Sequence, residues 1–139
     1  MNFIAKKNII YSVINIKLLG ALKLKYIIIK LSNKRNKKFE PIPFGNANKL
    51  KERASGPWRT SLNTLYATDH ALALYQGRII AEYRLRASVQ IDRRQHRLFF
   101  NMDTVSDSPY IGKRLDYPTA NPVSILDSND FVYKKEENQ

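Results

Sequence analysis

Cysteine is absent from the 139 residues, which excludes disulfides, cysteine-ligated zinc, iron–sulfur clusters and thiol nucleophiles. Histidine is scarce. Only His70 and His96 occur, too few for a multi-histidine metal centre. Long apolar runs are missing as well. Lys17, Lys23, Lys25 and Lys30 interrupt the stretch from Ile9 to Leu31, which never reaches the roughly 18 uninterrupted apolar residues of a spanning helix. Each lysine at mid-membrane would cost about 2.5–3.5 kcal/mol, so no membrane span is expected. Lys6 and Lys7 precede the apolar Ile9–Ile16, as at the start of a signal peptide. However, Lys17 cuts that run short and no A-x-A-like cleavage site follows. The expected setting is therefore cytoplasmic. Phosphate-binding loops, dinucleotide fingerprints and G-x-S-x-G elbows are also missing, and neither a cofactor nor a metal is expected.

What the chain has in excess is positive charge. Lys and Arg number 24 against 12 Asp and Glu, a formal net charge of +12. Ten basic residues and no acid fall within positions 1–38, whereas positions 39–139 carry 14 basic and 12 acidic residues. The composition changes there too, from lysine and isoleucine to an arginine-rich stretch between Arg78 and Arg97. This break suggests an extension joined to a more ordinary domain, and a first strand beginning near Leu24 sets the bounds: a basic, apolar extension at 1–21, an α+β domain at 22–133 and a polar tail at 134–139. Hydrophobic residues make up 43% of the whole, enough for one core in a domain of this length.

The pattern along the domain reads as short elements. Lys23 and Lys25 alternate with Leu22, Leu24 and Tyr26 ahead of the β-branched Ile27–Ile29, which predicts a strand ending at Leu31. Ser32 to Lys38 reads as a polar basic loop. Asn46 or Asn48 can cap a helix to Ala54 that Ser55-Gly56-Pro57 stops, and Ser61 can cap a second through Ala67. A hairpin follows, with strands at His70–Tyr75 and Arg78–Arg86 around the Gln76-Gly77 turn. Alternation places Ile79, Ala81, Tyr83 and Leu85 on one face and Arg78, Ile80, Glu82, Arg84 and Arg86 on the other. Strands at Arg97–Met102 and Val123–Leu126 complete four to six short strands, expected to curl into a small, mixed, partly closed β-barrel with short helices.

Three constellations are candidates for function. Arg84 and Arg86 project together, followed by Arg93, Arg94 and Arg97, and guanidinium is the side chain best matched to phosphate. The competing reading is a solvated face on which Glu82 pairs with Arg84 or Arg86. Trp58, the only tryptophan, could stack on a base while Arg59 reaches a phosphate. A lone tryptophan in a small domain is more often a core or lid residue. In Ser108-Pro109-Tyr110-Ile111-Gly112-Lys113-Arg114, Tyr110 could stack, and the glycine with Lys113 and Arg114 could admit a phosphate. Catalytic residues are not assigned. Metal-independent RNA cleavage would require His96 or His70 as general base.

From residue 25 to 126 the order of features resembles the PUA-like superfamily, including its ASCH and EVE branches, and uncharacterised bacterial proteins with the same hairpin. The resemblance rests on a first strand, then a helical stretch with Trp58, then Asp69-His70-Ala71-Leu72-Ala73-Leu74-Tyr75. Gly77-Arg78-Ile79-Ile80-Ala81-Glu82-Tyr83-Arg84-Leu85 and Arg97-Leu98-Phe99-Phe100 complete it. It implies a small mixed barrel used for RNA or modified-base recognition, with Trp58 and Arg59 lining the cleft and Arg84 and Arg86 on its rim. The G-x-K-x-x-E-x-R motif of ASCH proteins is missing, so the ribonuclease activity proposed for that branch is not implied. The sequence thus leads to a non-enzymatic nucleic-acid-binding module, with RNA ahead of DNA as partner. Its binding residues are Trp58, Arg59, Arg84, Arg86, Arg93, Arg94, Tyr110, Lys113 and Arg114. The rival readings are a metal-independent ribonuclease and a protein-interaction or defence accessory protein.

Overall fold

A computed structural model describes residues 24–135. The extension expected at 1–21 and the end of the polar tail, 136–139, lie outside the described residues. The first strand, β1 (Lys25–Leu31), has Ile27, Ile28 and Ile29 fully buried, so both of its faces are covered. A continuous β-branched run suits that position, because a strand covered on both sides has no solvent face to mark with polar residues. Where the sequence predicts a basic loop at Ser32 to Lys38, a tight hairpin forms between β2 (Lys34–Arg35) and β3 (Lys38–Phe39). Asn36 and Lys37 at its tip have φ of 53° and 65°, both left-handed, as a two-residue hairpin turn with right-twisted strands demands.

Helix α1 (Ala47–Ser55) starts at Asn46, whose side chain accepts from the Lys49 backbone N–H at 3.1 Å. Helix α2 (Leu62–Tyr66) follows Ser61. Strand β4 (His70–Tyr75) then runs parallel to β1, and β5 (Arg78–Asp92) and β6 (Arg97–Thr104) return antiparallel. The last strand, β7 (Val123–Asp127), lies antiparallel on the other side of β1, ahead of a 3-10 turn at Ser128–Asp130. The result is a mixed α+β fold on one five-stranded sheet of order β6-β5-β4-β1-β7. The sheet is not closed, and β6 and β7 form its edges.

Two cores cover the two faces. On one, α1, α2 and Ile42 bury Ile27, Ile29, Ala71, Ala73, Phe100 and Met102. On the other, the chain around Leu115 and Phe131 covers Tyr26, Ile28, Leu72, Leu74 and Ile79. Each fully buried isoleucine or leucine contributes about 1.5–3 kcal/mol to such a core. Strand β5 departs from the simple alternation that the sequence predicts. Leu74 pairs with Ile79 but Ala73 pairs with Ala81, leaving Ile80 as a bulge. One extra residue in a pattern of period two switches faces, so Ile79 joins the second core while Ala81 and Tyr83 join the first. Glu82 and Arg84 therefore share a face with buried Ile79 rather than a solvated arginine face.

Among the described residues, no helix is long and apolar enough to cross a membrane. At the C-terminal end, Leu115 bridges Tyr133, and the Lys134 N–H donates to the Arg114 carbonyl at 2.8 Å, so the tail is anchored at its first residue.

Candidate functional site

Beyond the C-terminal end of β1 a cleft of about 200 Å³ opens between the β2–β3 hairpin, the end of α1 and the start of β6. Five cations line it, Lys30, Lys34, Arg35, Arg53 and Arg97, together with Trp58, and no carboxylate does. The backbone fixes this group. Trp58 and Leu98 exchange two backbone hydrogen bonds of 2.8 Å, which pins the Gly56–Trp58 segment against β6. Gly56 is required for this approach. Its φ is 139°, and a β-carbon there would lie 2.6 Å from the Leu98 carbonyl oxygen. The Trp58 indole N–H donates to the Ala54 carbonyl at 2.7 Å while its side chain packs on the first core, and the same residue lines the cleft.

The cations divide by what they already hold. Buried Arg53 donates to the carbonyls of Ser32 and Glu40 at 2.8 and 3.0 Å, and its guanidinium is 3.6 Å from the Glu40 carboxylate. Arg35 reaches the Gly56 carbonyl at 3.4 Å and the same carboxylate at 3.8 Å. Lys30 donates to the Tyr117 and Thr119 carbonyls. Among the described residues, the side chains of Lys34 and Arg97 have no partner. Arg53 and Lys30 build the walls, and Lys34, Arg97 and the half-exposed Arg35 offer charge to a ligand. Sequence reasoning missed Lys30, Lys34, Arg35 and Arg53 because the hairpin and helix that gather them share no local motif.

The other residues expected from the sequence lie elsewhere. Arg59 is exposed beside Trp58, one step along the bridge to β6 and level with Arg97. Arg93 and Arg94 are exposed in the β5–β6 turn. Arg84 and Arg86 are not in the Trp58 cleft. They flank Asp103 on β6, Arg86 by a two-pronged contact of 2.6 and 3.1 Å and Arg84 at 3.9 Å. The Arg86 hydrogen bond holds the Asp103 carboxyl below its ordinary value, and Asp103 in turn raises Arg86. Tyr110 packs edge-on to Tyr26 and Phe131, Lys113 lies 4.9 Å over the Tyr133 ring, and exposed Arg114 bridges Arg78.

The two histidines part ways. His96 sits in the exposed β5–β6 turn with a left-handed φ of 54°, and among the described residues nothing hydrogen-bonds its ring. His70 Nδ1 lies 2.6 Å from Oε2 of Glu82, a carboxylate only 5% exposed. Glu82 is thus paired with His70, not with Arg84 or Arg86.

No protein-family model matches the chain, and no curated protein or solved structure is significantly similar to it.

Proposed function

We propose that the chain binds nucleic acid, RNA ahead of DNA, with phosphates in the basic cleft beside Trp58. The observation that carries this reading is the cleft lining: five cations and Trp58, with no carboxylate among them. Phosphate recognition needs donors that no protein acid already holds, and Lys34 and Arg97 meet that need, with Arg35 beside them shared with Glu40. An indole at the rim suits base stacking, which tolerates any sequence and contributes about 1–3 kcal/mol per base. Arg59, Arg93 and Arg94 lie near the same end of β6 and extend the positive path. Arg84 and Arg86 beside Asp103, and Tyr110, Lys113 and Arg114 near Phe131, Tyr133 and Arg78, are outlying contacts in this reading.

The proposal includes a cytoplasmic setting and a PUA-like architecture, with the five strands curled into a partly closed barrel. Its support is the order of first strand, Trp58 segment, β4–β5 hairpin and closing strand. Because Trp58 is the only tryptophan, its fluorescence reports on the cleft directly. Titration with a short oligoribonucleotide at low salt is expected to quench it saturably. An unchanged signal, with no binding by a second method, overturns the reading.

A further inference from the structure

Four side chains stand in one row across four adjacent strands: Tyr26 pairs with His70, His70 with Arg84, and Arg84 with Asp103. The row exists because of the Ile80 bulge. Had pairing continued unbroken from Tyr75–Arg78, His70 would face Tyr83. The extra residue brings Arg84 there and sets Glu82 on the same face, diagonal to His70. Exposure rises along the row, from buried Tyr26 through His70 at 32% to Arg84 at 68%. His70 thus stands at the border where the cover of the second core ends.

The chemistry at this border is lopsided. Glu82 lies almost wholly under the cover, its Oε2 held by His70 while its buried Oε1 has no hydrogen-bond partner among the described residues. A carboxylate in such a place is costly to the fold, and an apolar residue of similar size would serve packing better. What the arrangement provides is orientation. In the neutral ring, Nδ1–H donates to the carboxylate, the ring is braced edge-on by Tyr26 at 5.9 Å, and Nε2, the nitrogen Glu82 does not take, keeps its lone pair on a side chain that is 32% exposed. Arg84, the next side chain in the row, supplies a cation that among the described residues has one ion pair, the 3.9 Å contact with Asp103.

We propose that this row is a general-base site for phosphodiester transesterification in RNA. The inference rests on RNA being the bound polymer, and it gives residues and roles to the ribonuclease that the sequence leaves as a rival reading with His96 or His70. His70 is the catalytic residue, Arg84 holds the phosphate, and Glu82 is a positioning residue acting through His70. Nε2 of His70 takes the proton of a ribose 2′-hydroxyl as the 2′-oxygen bonds to phosphorus. The bond from phosphorus to the 5′-oxygen breaks, and that oxygen leaves with a proton from water. The hydroxide so formed is neutralised by the imidazolium proton. The products are a 2′,3′-cyclic phosphate and a 5′-hydroxyl, and no oxidant or reductant is needed.

The test is incubation of the full chain with a labelled oligoribonucleotide in excess chelator, beside the same sequence as DNA. RNA is expected to be cut to cyclic-phosphate ends and DNA to remain whole. His70→Ala is expected to lower the rate by roughly 10²–10⁴-fold, with binding retained and partial rescue by added imidazole. Glu82→Gln is expected to lower kcat with KM little changed. His70→Asn, which keeps a polar group against Glu82, covers the case in which the alanine variant fails to fold. Intact binding with no RNA cleavage by the parent chain overturns this inference alone. So does cleavage that survives in both His70 variants. Absence of any RNA binding overturns the binding reading with it.

Discussion

Trp58 and Leu98 donate to each other's carbonyls at 2.8 Å, so a segment outside the sheet covers the β6 edge and places an indole beside Arg97. An edge strand left bare invites pairing with other chains, and this bridge occupies part of it. The same contact makes the cleft, because the Gly56–Trp58 segment forms one wall and the β2–β3 hairpin the other.

Gly56→Ala is expected to damage both roles. A β-carbon at φ 139° would meet the Leu98 carbonyl at 2.6 Å, so the segment must move. A loss of about 2 kcal/mol or more is expected, seen as a melting temperature lower by several degrees together with a changed Trp58 emission. A variant as stable as the parent would show that the bridge does not hold the segment.

Phe100 and Phe99 are neighbours on β6 with opposite fates. Phe100 is buried in the first core, whereas Phe99 points the other way and is half-buried. Phe100→Ala is expected to cost about 3–5 kcal/mol in denaturant unfolding, and Phe99→Ala clearly less. Equal losses would contradict the assignment of faces along β6.

Alkaline titration tests the second core. Burial raises the Tyr26 hydroxyl above its ordinary pKa of 10.0, helped by the Tyr110 hydrogen bond and by the negative charge of Glu82. Burial alone pushes Tyr83 up to about 12. The unfolded chain gives up these protons first, so the stability tied to the neutral hydroxyls is complete below pH 10. It falls as pH climbs from there through the raised folded values. Tyrosinate absorbance is expected to show two groups that ionise only with unfolding, and Tyr26→Phe is expected to soften the alkaline loss. Early, independent ionisation of every tyrosine would contradict the burial.

Asp103 is the acid that Arg84 and Arg86 share. Asp103→Asn frees both guanidiniums and removes a charge that repels phosphate. RNA affinity at low salt is expected to rise a few-fold by fluorescence anisotropy. An unchanged affinity would place these arginines outside the bound surface.

Much of this fold is legible in the sequence where the signal is local. The β4 bounds, a helix cap narrowed to Asn46 or Asn48, and the alternation of Leu98, Phe100 and Met102 follow from periodicity and capping chemistry. The hairpin at residues 34–39 is not legible, because its two-residue strands are exposed and carry no apolar alternation. Nor is the Ile80 bulge, since Ile79-Ile80-Ala81 is apolar throughout and alternation offers no place for an extra residue. That single slip hides the His70–Glu82 pair, which follows only from the observed register. The cleft is partly legible. Trp58 and Arg97 stand out by type, but their companions Lys34 and Arg35 come from a hairpin read as loop, and Arg53 from a helix read for its caps alone.

The most direct test of the account is the salt dependence of RNA binding for the parent chain and for Lys34→Ala with Arg97→Ala. If these two side chains meet phosphates, log affinity for a single strand falls linearly with log salt, and the double variant loses roughly 1.4 units of slope, about 0.7 per phosphate contact. A double variant with unchanged affinity and unchanged slope would contradict the cleft as the phosphate site.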